Sequence, residues 1–423
     1  MIREGIEVTT LPNGLRVVSE TVDHVQSASV GIWVGVGSRN EDVPVRGITH
    51  FIEHMLFKGT AARSARQIAD EIESRGGSLN AFTDKEYTCY YARSLATEAD
   101  TVMDVLTDML CRSALAPDEL ALEQNVVLEE IKRHRDTPDD LVHDVFAETM
   151  WARHPLGRPI IGTARTVGAL TRADLVRYMG AHYTPDRIVL AAAGNVPHAA
   201  VVSLAERYLG HLSGRAGQRR LTAPRATGAS RLVRRRTEQV HFCLGCPGFR
   251  QTDDARYAMT ILDMALGGNM SSRLFQEIRE KRGLAYSVGT YTQSYATGGV
   301  FVVYGGTSPA TFEQVVELAR AEIEKVRREG LTEDEVSKAK TQLRGALVLG
   351  LESMSSRMMR MGKSMLYFGR VVPLEEILAK VDAVSCDRIR EMAHAMFADE
   401  NLTLATVGPL ARGTAAPAAA AAN

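Results

Sequence analysis

The two halves of the chain repeat one order of predicted elements, and this repeat is the strongest constraint on the fold. In each half, an alternating strand pattern leads into a helix, a pair of strands and a long helical region. The clearest local match pairs residues 115–131, LAPDELALEQNVVLEEI, with residues 331–347, LTEDEVSKAKTQLRGAL. They share a leucine, an Asp-Glu pair and the apolar spacing that follows. We therefore predict an α+β fold built from two copies of one unit.

The join between the two copies predicts where the domains divide. Residues 213–230, SGRAGQRRLTAPRATGAS, lack apolar periodicity and are rich in Gly, Ser, Pro and Arg, which is typical of a surface linker. A chain of 423 residues also exceeds the size of one ordinary core. We predict an N-terminal domain over residues 1–212 and a C-terminal domain over residues 231–412. Residues 413–423 are Ala-rich, and we predict a disordered tail.

Charge and hydropathy narrow the classes of function. The formal net charge is -1, whereas a general nucleic-acid binder normally carries a strongly basic domain. The N-terminus has no apolar stretch after a basic start, and no apolar run reaches the length that crosses a bilayer. We expect no nucleic-acid partner, no membrane span and a cytoplasmic location.

The segment GITHFIEHMLFKGT contains His50, Glu53 and His54 at a spacing typical of metal-binding helices. On a helix, the two imidazoles stand one turn apart on the same face and can share one metal ion. A catalytic zinc takes three protein ligands and leaves a fourth position for water, whose pKa falls towards neutrality. Glu53 would accept the proton of that water as general base. Its place before the second histidine is the inverted zincin pattern, and the alternative is a helix with both histidines on a solvated face.

A third ligand is required, and the segment EQNVVLEEI supplies candidates. Glu123 and Glu130 lie seven residues apart, two helical turns, on one face, so both could approach the metal. We predict that Glu130 binds the metal directly and that Glu123 orients a histidine or the ligand glutamate. Glu129 is predicted to lie on a solvated face.

Together these residues resemble the signature of the M16 peptidase family, in which HxxEH is followed about 76 residues later by a ligand glutamate with another glutamate seven residues before it. Here Glu130 lies 76 residues after His54 and seven residues after Glu123. The resemblance extends to about Leu410 and is greatest to the branch that includes the mitochondrial processing peptidase β subunit and its bacterial relatives. It implies two homologous α/β sandwich domains, each an antiparallel-rich sheet plus helices, forming half of a clamshell.

The resemblance also implies roles for residues outside the metal motif. Within GGSLNAFTDKEYTCYY, Asn80, Ala81 and Phe82 would line a strand edge that pairs with an extended substrate. The alternative is an ordinary β-hairpin. Within REKRGLAYSV, Arg279 and Tyr286 would donate to the carbonyl oxygen as it becomes an oxyanion.

The second half carries no counterpart of the metal ligands. Alignment of YAMTILDMAL with GITHFIEHML places Thr260, Asp263 and Met264 at the positions of the HxxEH residues. The helix match places Ala346 at the position of Glu130. One zinc ion per chain follows.

These expectations combine into one function. The resemblance implies a zinc-dependent endopeptidase that cuts peptides or unfolded, presequence-like polypeptides inside a chamber formed by two chains. We expect a homodimer, or a heterodimer with a related chain. The alternative is a non-catalytic structural or partner subunit of a processing-peptidase-like complex, which predicts a broken zinc motif.

Overall fold

The computed structural model describes residues 5–217 and 221–411, so the predicted tail and residues 218–220 of the predicted linker lie outside it. Linker residues 213–217 and 221–229 belong to no helix or strand. The chain divides into two compact units, each assembled from three segments. Unit 1 contains Met1–Ile131, Pro159–Arg220 and Val348–Pro373, and unit 2 contains Lys132–Arg158, Leu221–Leu347 and Leu374–Asn423.

The regular elements follow in chain order. The strands are β1 (Ile6–Thr10), β2 (Arg16–Thr21), β3 (Ser27–Val34), β4 (Ser78–Thr83), β5 (Thr88–Leu95), β6 (Ile188–Gly194), β7 (Ser230–Arg234), β8 (Val240–Gly248), β9 (Ala285–Tyr295), β10 (Gly298–Thr307) and β11 (Thr403–Gly408). The helices are α1 (Ile48–Leu56), α2 (Ala65–Glu73), α3 (Ala99–Arg112), α4 (Pro117–Asp136), α5 (Pro138–Met150), α6 (Ala164–Val167), α7 (Arg172–His182), α8 (His198–Leu209), α9 (Ala255–Leu266), α10 (Phe312–Glu329), α11 (Glu333–Gly350), α12 (Met354–Phe368), α13 (Leu374–Asp382) and α14 (Cys386–Met396). A π-helical segment spans Phe275–Glu280, and short 3-10 turns span Ser38–Asn40, Val43–Val45, Ala96–Glu98, Pro155–Gly157, Pro185–Arg187 and Asp399–Asn401.

The two sheets confirm the predicted duplication. The six-stranded sheet of unit 1 has the order β1-β2-β6-β3-β5-β4, and the five-stranded sheet of unit 2 has the order β7-β11-β8-β10-β9. In each sheet one pair is parallel, β2 with β6 and β11 with β7, and the other pairs are antiparallel. Without β1, the order and directions of the first sheet repeat those of the second. The predicted α+β fold class is confirmed.

The sheet of unit 1 is buried on both faces. Along β6, Ile188, Leu190 and Ala192 belong to one core cluster, while Val189 and Ala191 belong to another. Such a strand reads as a continuous apolar run, because each face of the pleat meets a packed layer. The first cluster includes apolar residues of α1, α3, α7 and α8, and the second includes the methionines of α12.

The sheet of unit 2 is covered in the same manner. One core cluster joins residues of β8 and β10 to α9, α10 and α14. The other joins Cys243 and Val302 to Val145 and Phe146 of α5. In both units, therefore, the helix on the second face comes from the other half of the sequence.

Polar contacts as well as apolar packing hold α12 on its sheet. Arg357 forms an ion pair with Glu20, whose side chain is buried. Near the other end, the Tyr367 hydroxyl donates to Glu86 Oε2 at 2.7 Å. Between them, Gly362 allows the helix to approach the buried ring of Trp33, since a Cβ at this glycine would lie 2.2 Å from Trp33 Nε1. The close approach leaves no space for a larger residue.

Gly362→Ala should therefore destabilise the protein although alanine is the better helix former. We expect the free energy of unfolding to fall by about 1–3 kcal/mol, the usual cost of an added carbon in a packed core. Gly345→Ala is the matched control in α11, because a Cβ there meets nothing within 4 Å. That change should raise stability by about 0.5–1 kcal/mol. Chemical denaturation of both variants measures the difference, and equal effects would contradict the packing argument.

Candidate metal centre

Helix α1 carries the HxxEH residues and is positioned by its apolar face. Ile48, Ile52 and Met55 recur at helical spacing and are completely or almost completely buried. Gly47 precedes the helix with a φ of 90°, a conformation that favours glycine. A Cβ at Gly47 would also lie 2.8 Å from the carbonyl oxygen of Ile161.

Glu41, which the sequence reasoning missed, holds the first turn of α1. Its carboxylate accepts hydrogen bonds from the backbone N–H of Gly47 at 2.8 Å and of Thr49 at 2.9 Å. These are N–H groups that a helix start leaves without an intrahelical partner. Burial raises the pKa of Glu41 to about 7, although the two N–H donors act in the opposite direction. The helix that carries the histidines is thus anchored by a buried carboxyl group.

The structure brings His50, His54 and Glu130 together. The Nε2 atoms of His50 and His54 lie 3.8 and 3.7 Å from Glu130 Oε2. Burial, followed by the nearness of His54, lowers the pKa of His50 to about 3, so this imidazole is neutral and has a lone pair for a metal. In the described ranges, 5–217 and 221–411, these three residues form the one group of potential metal ligands.

Behind the potential ligands, Glu123 contacts His54 and Lys58 contacts Glu123. Glu123 Oε1 lies 2.8 Å from His54 Nδ1, and its Oε2 lies 2.5 Å from Lys58 Nζ. A carboxylate at Nδ1 makes that nitrogen the donor and leaves Nε2 to face Glu130. The expected orienting role of Glu123 is therefore compatible with its position, whereas Lys58 was not anticipated.

Glu53 projects towards β4. Its Oε2 accepts a 2.5 Å hydrogen bond from the hydroxyl of Thr83, the last residue of that strand. Burial raises the pKa of Glu53. The hydrogen bond from Thr83 and the nearby His54 have the opposite effect but are weaker. A carboxylate with this environment is suited to accepting a proton.

The donor set and its spacing fit zinc. A tetrahedral zinc with ligand bonds of about 2.0–2.2 Å holds its ligand atoms about 3.3–3.6 Å apart. One ligand atom from each of the three residues lies within 4.8 Å of the others, and the two distances to Glu130 are close to the tetrahedral spacing. Two histidines and one glutamate are a known ligand set of catalytic zinc sites. His50, His54 and Glu130 are the residues that would hold the ion.

Asn80, Ala81 and Phe82 lie on β4, at the edge of the first sheet. Within the described residues, β4 pairs with β5 alone. The Asn80 side-chain oxygen accepts from the N–H of Ala81 at 2.8 Å, and Phe82 packs edge-on against Trp33. The strand has the free edge that strand addition requires, and the substrate-binding role of these residues stays a prediction.

Arg279 and Tyr286 lie in unit 2 and contact each other there. Arg279 Nη1 donates to the backbone oxygen of Tyr286 at 2.8 Å, and its guanidinium lies 4.5 Å from the centre of the Tyr286 ring. The tyrosine is 78% exposed. The two side chains thus contact each other beside an accessible tyrosine ring, and their predicted role as donors to an oxyanion stays a prediction.

The second-half counterparts differ in chemistry from the HxxEH residues. Thr260 donates its hydroxyl to the backbone oxygen of Arg256. Burial raises the pKa of Asp263 to about 6.

The fold and this cluster define a class: duplicated α+β proteins with a potential His-His-Glu metal centre beside an edge strand. A family model described as insulinase (peptidase family M16) matches residues 16–164, and one described as peptidase M16 inactive domain matches residues 169–343. The chain belongs to peptidase family M16.

Similar proteins agree with this assignment. An uncharacterized zinc protease of Streptomyces coelicolor is 46% identical over 95% of this chain and 89% of its own length. The uncharacterized zinc protease YmxG of Bacillus subtilis is 41% identical over 95% of this chain and 97% of its own.

Two solved structures share the fold. A peptidase M16 inactive domain from Pseudomonas fluorescens has a TM-score of 0.90 at 19% identity, covering 96% of this chain and 98% of its own. A protease from Helicobacter pylori has a TM-score of 0.89 at 23% identity, covering 96% and 100%. Across the described part of this chain, no helix is long and apolar enough to cross a membrane.

The buried carboxyl of Glu41 should make stability depend on pH. Its pKa is raised from 4.5 to about 7 on folding. Between these values the folded protein holds a proton that the unfolded chain has released, so stability falls as pH rises, by about 1.4 kcal/mol per pH unit from this group. Glu41→Gln should remove this contribution to the pH dependence of stability.

Denaturation of the metal-free protein at about pH 5 and pH 7 measures the effect of Glu41. The loss of stability between the two pH values should be about 2–3 kcal/mol smaller in Glu41→Gln than in the wild type. Identical pH dependence in the two proteins would show that Glu41 does not titrate in this window.

Proposed function

We propose that the protein is a zinc-dependent endopeptidase that hydrolyses peptides or unfolded, presequence-like polypeptides inside a chamber formed by two chains. The observation that carries the proposal is the convergence of His50, His54 and Glu130 beside Glu53, next to a strand with a free edge. Relatives that are named zinc proteases support zinc-dependent proteolysis as the general activity.

The proposed chemistry divides between the ion and the chain. Zinc, when held by His50, His54 and Glu130, supplies Lewis acidity that lowers the pKa of water and polarises a carbonyl group. Glu53 takes a proton from the attacking water at a carboxylate oxygen and passes it to the leaving amine. Thr83 orients that carboxylate through its 2.5 Å hydrogen bond. Burial brings the pKa of Glu53 closer to neutrality, which favours both transfers.

The edge of β4 favours a polypeptide as substrate. An extended peptide added there would gain main-chain hydrogen bonds, which recognise the backbone without reading its sequence. Unfolded chains and short peptides present such a backbone along most of their length, whereas folded proteins present it only at edge strands. Because Thr83 ends β4 and contacts Glu53, the bound backbone would lie close to the base.

Arg279 and Tyr286 are the proposed donors to the developing oxyanion, supplied by the second domain of a partner chain. Their mutual contact supports the donor role, since a guanidinium held against an aromatic ring needs little rearrangement to donate. We propose a homodimer as the simplest assembly, and a related chain could take the partner's place.

The alternative, a non-catalytic partner subunit, predicts loss of the metal motif. Here His50, Glu53, His54, Glu123 and Glu130 are all present and the ligands converge. We therefore favour the catalytic role.

Glu53→Gln separates zinc binding from catalysis. The purified wild type should contain about one zinc per chain and lose peptidase activity to a chelator. The Glu53→Gln protein should keep the metal and lose at least about 100-fold in turnover, the scale of general-base catalysis. Metal analysis and digestion of a mixed-peptide substrate measure the two properties.

Glu73→Gln is the matched control for this experiment, because Glu73 is exposed at the end of α2. It should behave as the wild type in both assays. An active wild type without zinc would refute the metal assignment. A zinc-loaded wild type that cleaves no peptide would favour the partner-subunit reading.

Mixing two inactive variants tests whether the site is shared between chains. Glu53→Gln and Arg279→Ala should each be nearly inactive as homodimers. In a mixed dimer, the Arg279→Ala chain keeps Glu53 and borrows Arg279 from its partner. Random exchange makes about half of the dimers mixed, each with one working site, so about a quarter of wild-type activity should return.

The control for this mixing experiment is an independent measure of subunit exchange, with differently labelled chains. If exchange is complete and no activity returns, Glu53 and Arg279 do not combine across the dimer. A self-contained chain would then replace the shared site.

A further inference from the structure

Lys58 follows the metal-binding helix and contacts a buried carboxylate. Its Nζ lies 2.5 Å from Glu123 Oε2. The Glu123 side chain is 4% exposed, whereas that of Lys58 is 31% exposed. The lysine therefore reaches from the surface to a charge that water does not reach.

Local structure explains how Lys58 reaches Glu123. The Lys58 N–H donates to the backbone oxygen of Met55 at 3.1 Å, which extends the last turn of α1. Lys58 thus stands four residues after His54 on the same side of the helix. Gly59 follows with a φ of 110°, which turns the chain away immediately afterwards.

The two oxygens of Glu123 serve different neighbours. Oε1 makes a 2.8 Å hydrogen bond with His54 Nδ1, whereas Oε2 forms an ion pair with Lys58 Nζ at 2.5 Å that lacks hydrogen-bond geometry. A buried carboxylate is stable when its charge is compensated and its oxygens are held. Lys58 supplies the compensating charge, because its Nζ is the cationic group at the second oxygen.

The two histidines are held unequally. In the part of the chain that the structure describes, the buried Nδ1 of His50 has no hydrogen-bond partner. The ring of His54, by contrast, is oriented by Glu123. On the His54 side, by contrast with His50, polar contacts run from Lys58 through Glu123 to the imidazole.

We propose that Lys58 is a positioning residue for the metal centre. It neutralises Glu123 and fixes the carboxylate that accepts the Nδ1 proton of His54, so that Nε2 faces the metal. The proposal rests on the proposed zinc binding by His50, His54 and Glu130, and it adds a residue to which neither the HxxEH motif nor the ligand glutamate points.

Zinc affinity of the full chain tests the role without any activity assay. Competition with a chromogenic chelator should show about 10–100-fold weaker zinc binding in Lys58→Met, the range for loss of a partner that orients a ligand. Lys58→Arg keeps the charge and should recover most of the affinity. Circular dichroism of the metal-free proteins reports whether each variant is folded.

Lys338→Met is the matched control. Lys338 also pairs with a carboxylate, Asp334 at 2.6 Å, but both side chains are 71% exposed. The zinc affinity of this variant should equal that of the wild type. A loss equal to that in Lys58→Met would mean that removing any paired lysine has the same effect, and would overturn the proposal.

A double variant shows whether Lys58 acts through Glu123. In a Glu123→Gln background the carboxylate that Lys58 would neutralise is gone, so adding Lys58→Met should change zinc affinity by less than about threefold. This comparison also tests whether Lys58 acts through Glu123 if the Lys58→Met protein alone does not fold. A further 10-fold loss in that background would overturn the proposal, as would wild-type affinity in a folded Lys58→Met protein. A wild type that binds no zinc would instead refute the proposed function.

Discussion

Burial of each sheet on both faces is the constraint on which the rest of the structure depends. The strands of unit 1 carry apolar side chains on both faces of the sheet, and a single layer of helices can cover only one of these faces. Helix α12 closes the second face, and α5 does the same in unit 2. The side of the first sheet opposite α12 is then free to hold α1. The site therefore lies on one face of a sheet whose other face is covered by α12, a helix far away in the sequence.

The sequence predicted the features that repeat or lie close together in the chain. The duplicated elements, the helix around His50 and the strand pair after it could be read from apolar spacing and a short motif. The positions of α5 and α12 could not, because the periodicity of a helix shows which face is buried but not which sheet buries it. Lys58 and Glu41 were missed for a related reason. A lysine after a helix and a glutamate in a loop have many uses, and only their contacts in three dimensions distinguish them.

Carboxyl groups around the site are held by neighbouring groups of the chain. Glu41 meets the helix N–H groups, Glu123 meets Lys58, and Glu53 meets the Thr83 hydroxyl. A low-dielectric surrounding strengthens each of these contacts and also penalises each group that loses its partner. The site is consequently sensitive to residues that would not touch a metal or a substrate.

The contact between Thr83 and Glu53 would link the proposed substrate recognition to the proposed proton transfer. Thr83 is the last residue of the strand whose free edge is the proposed binding surface, and its hydroxyl holds the proposed base. A free edge strand lacks a neighbour on one side, so pairing with an added peptide would restrict its motion. The same restriction would extend through Thr83 to the carboxylate of Glu53. A small molecule that reached the site without pairing with β4 would not have this effect. If β4 binds the substrate and Glu53 is the base, as proposed, this contact would favour turnover of extended polypeptides over other hydrolysable substrates, through orientation of the base rather than through affinity alone.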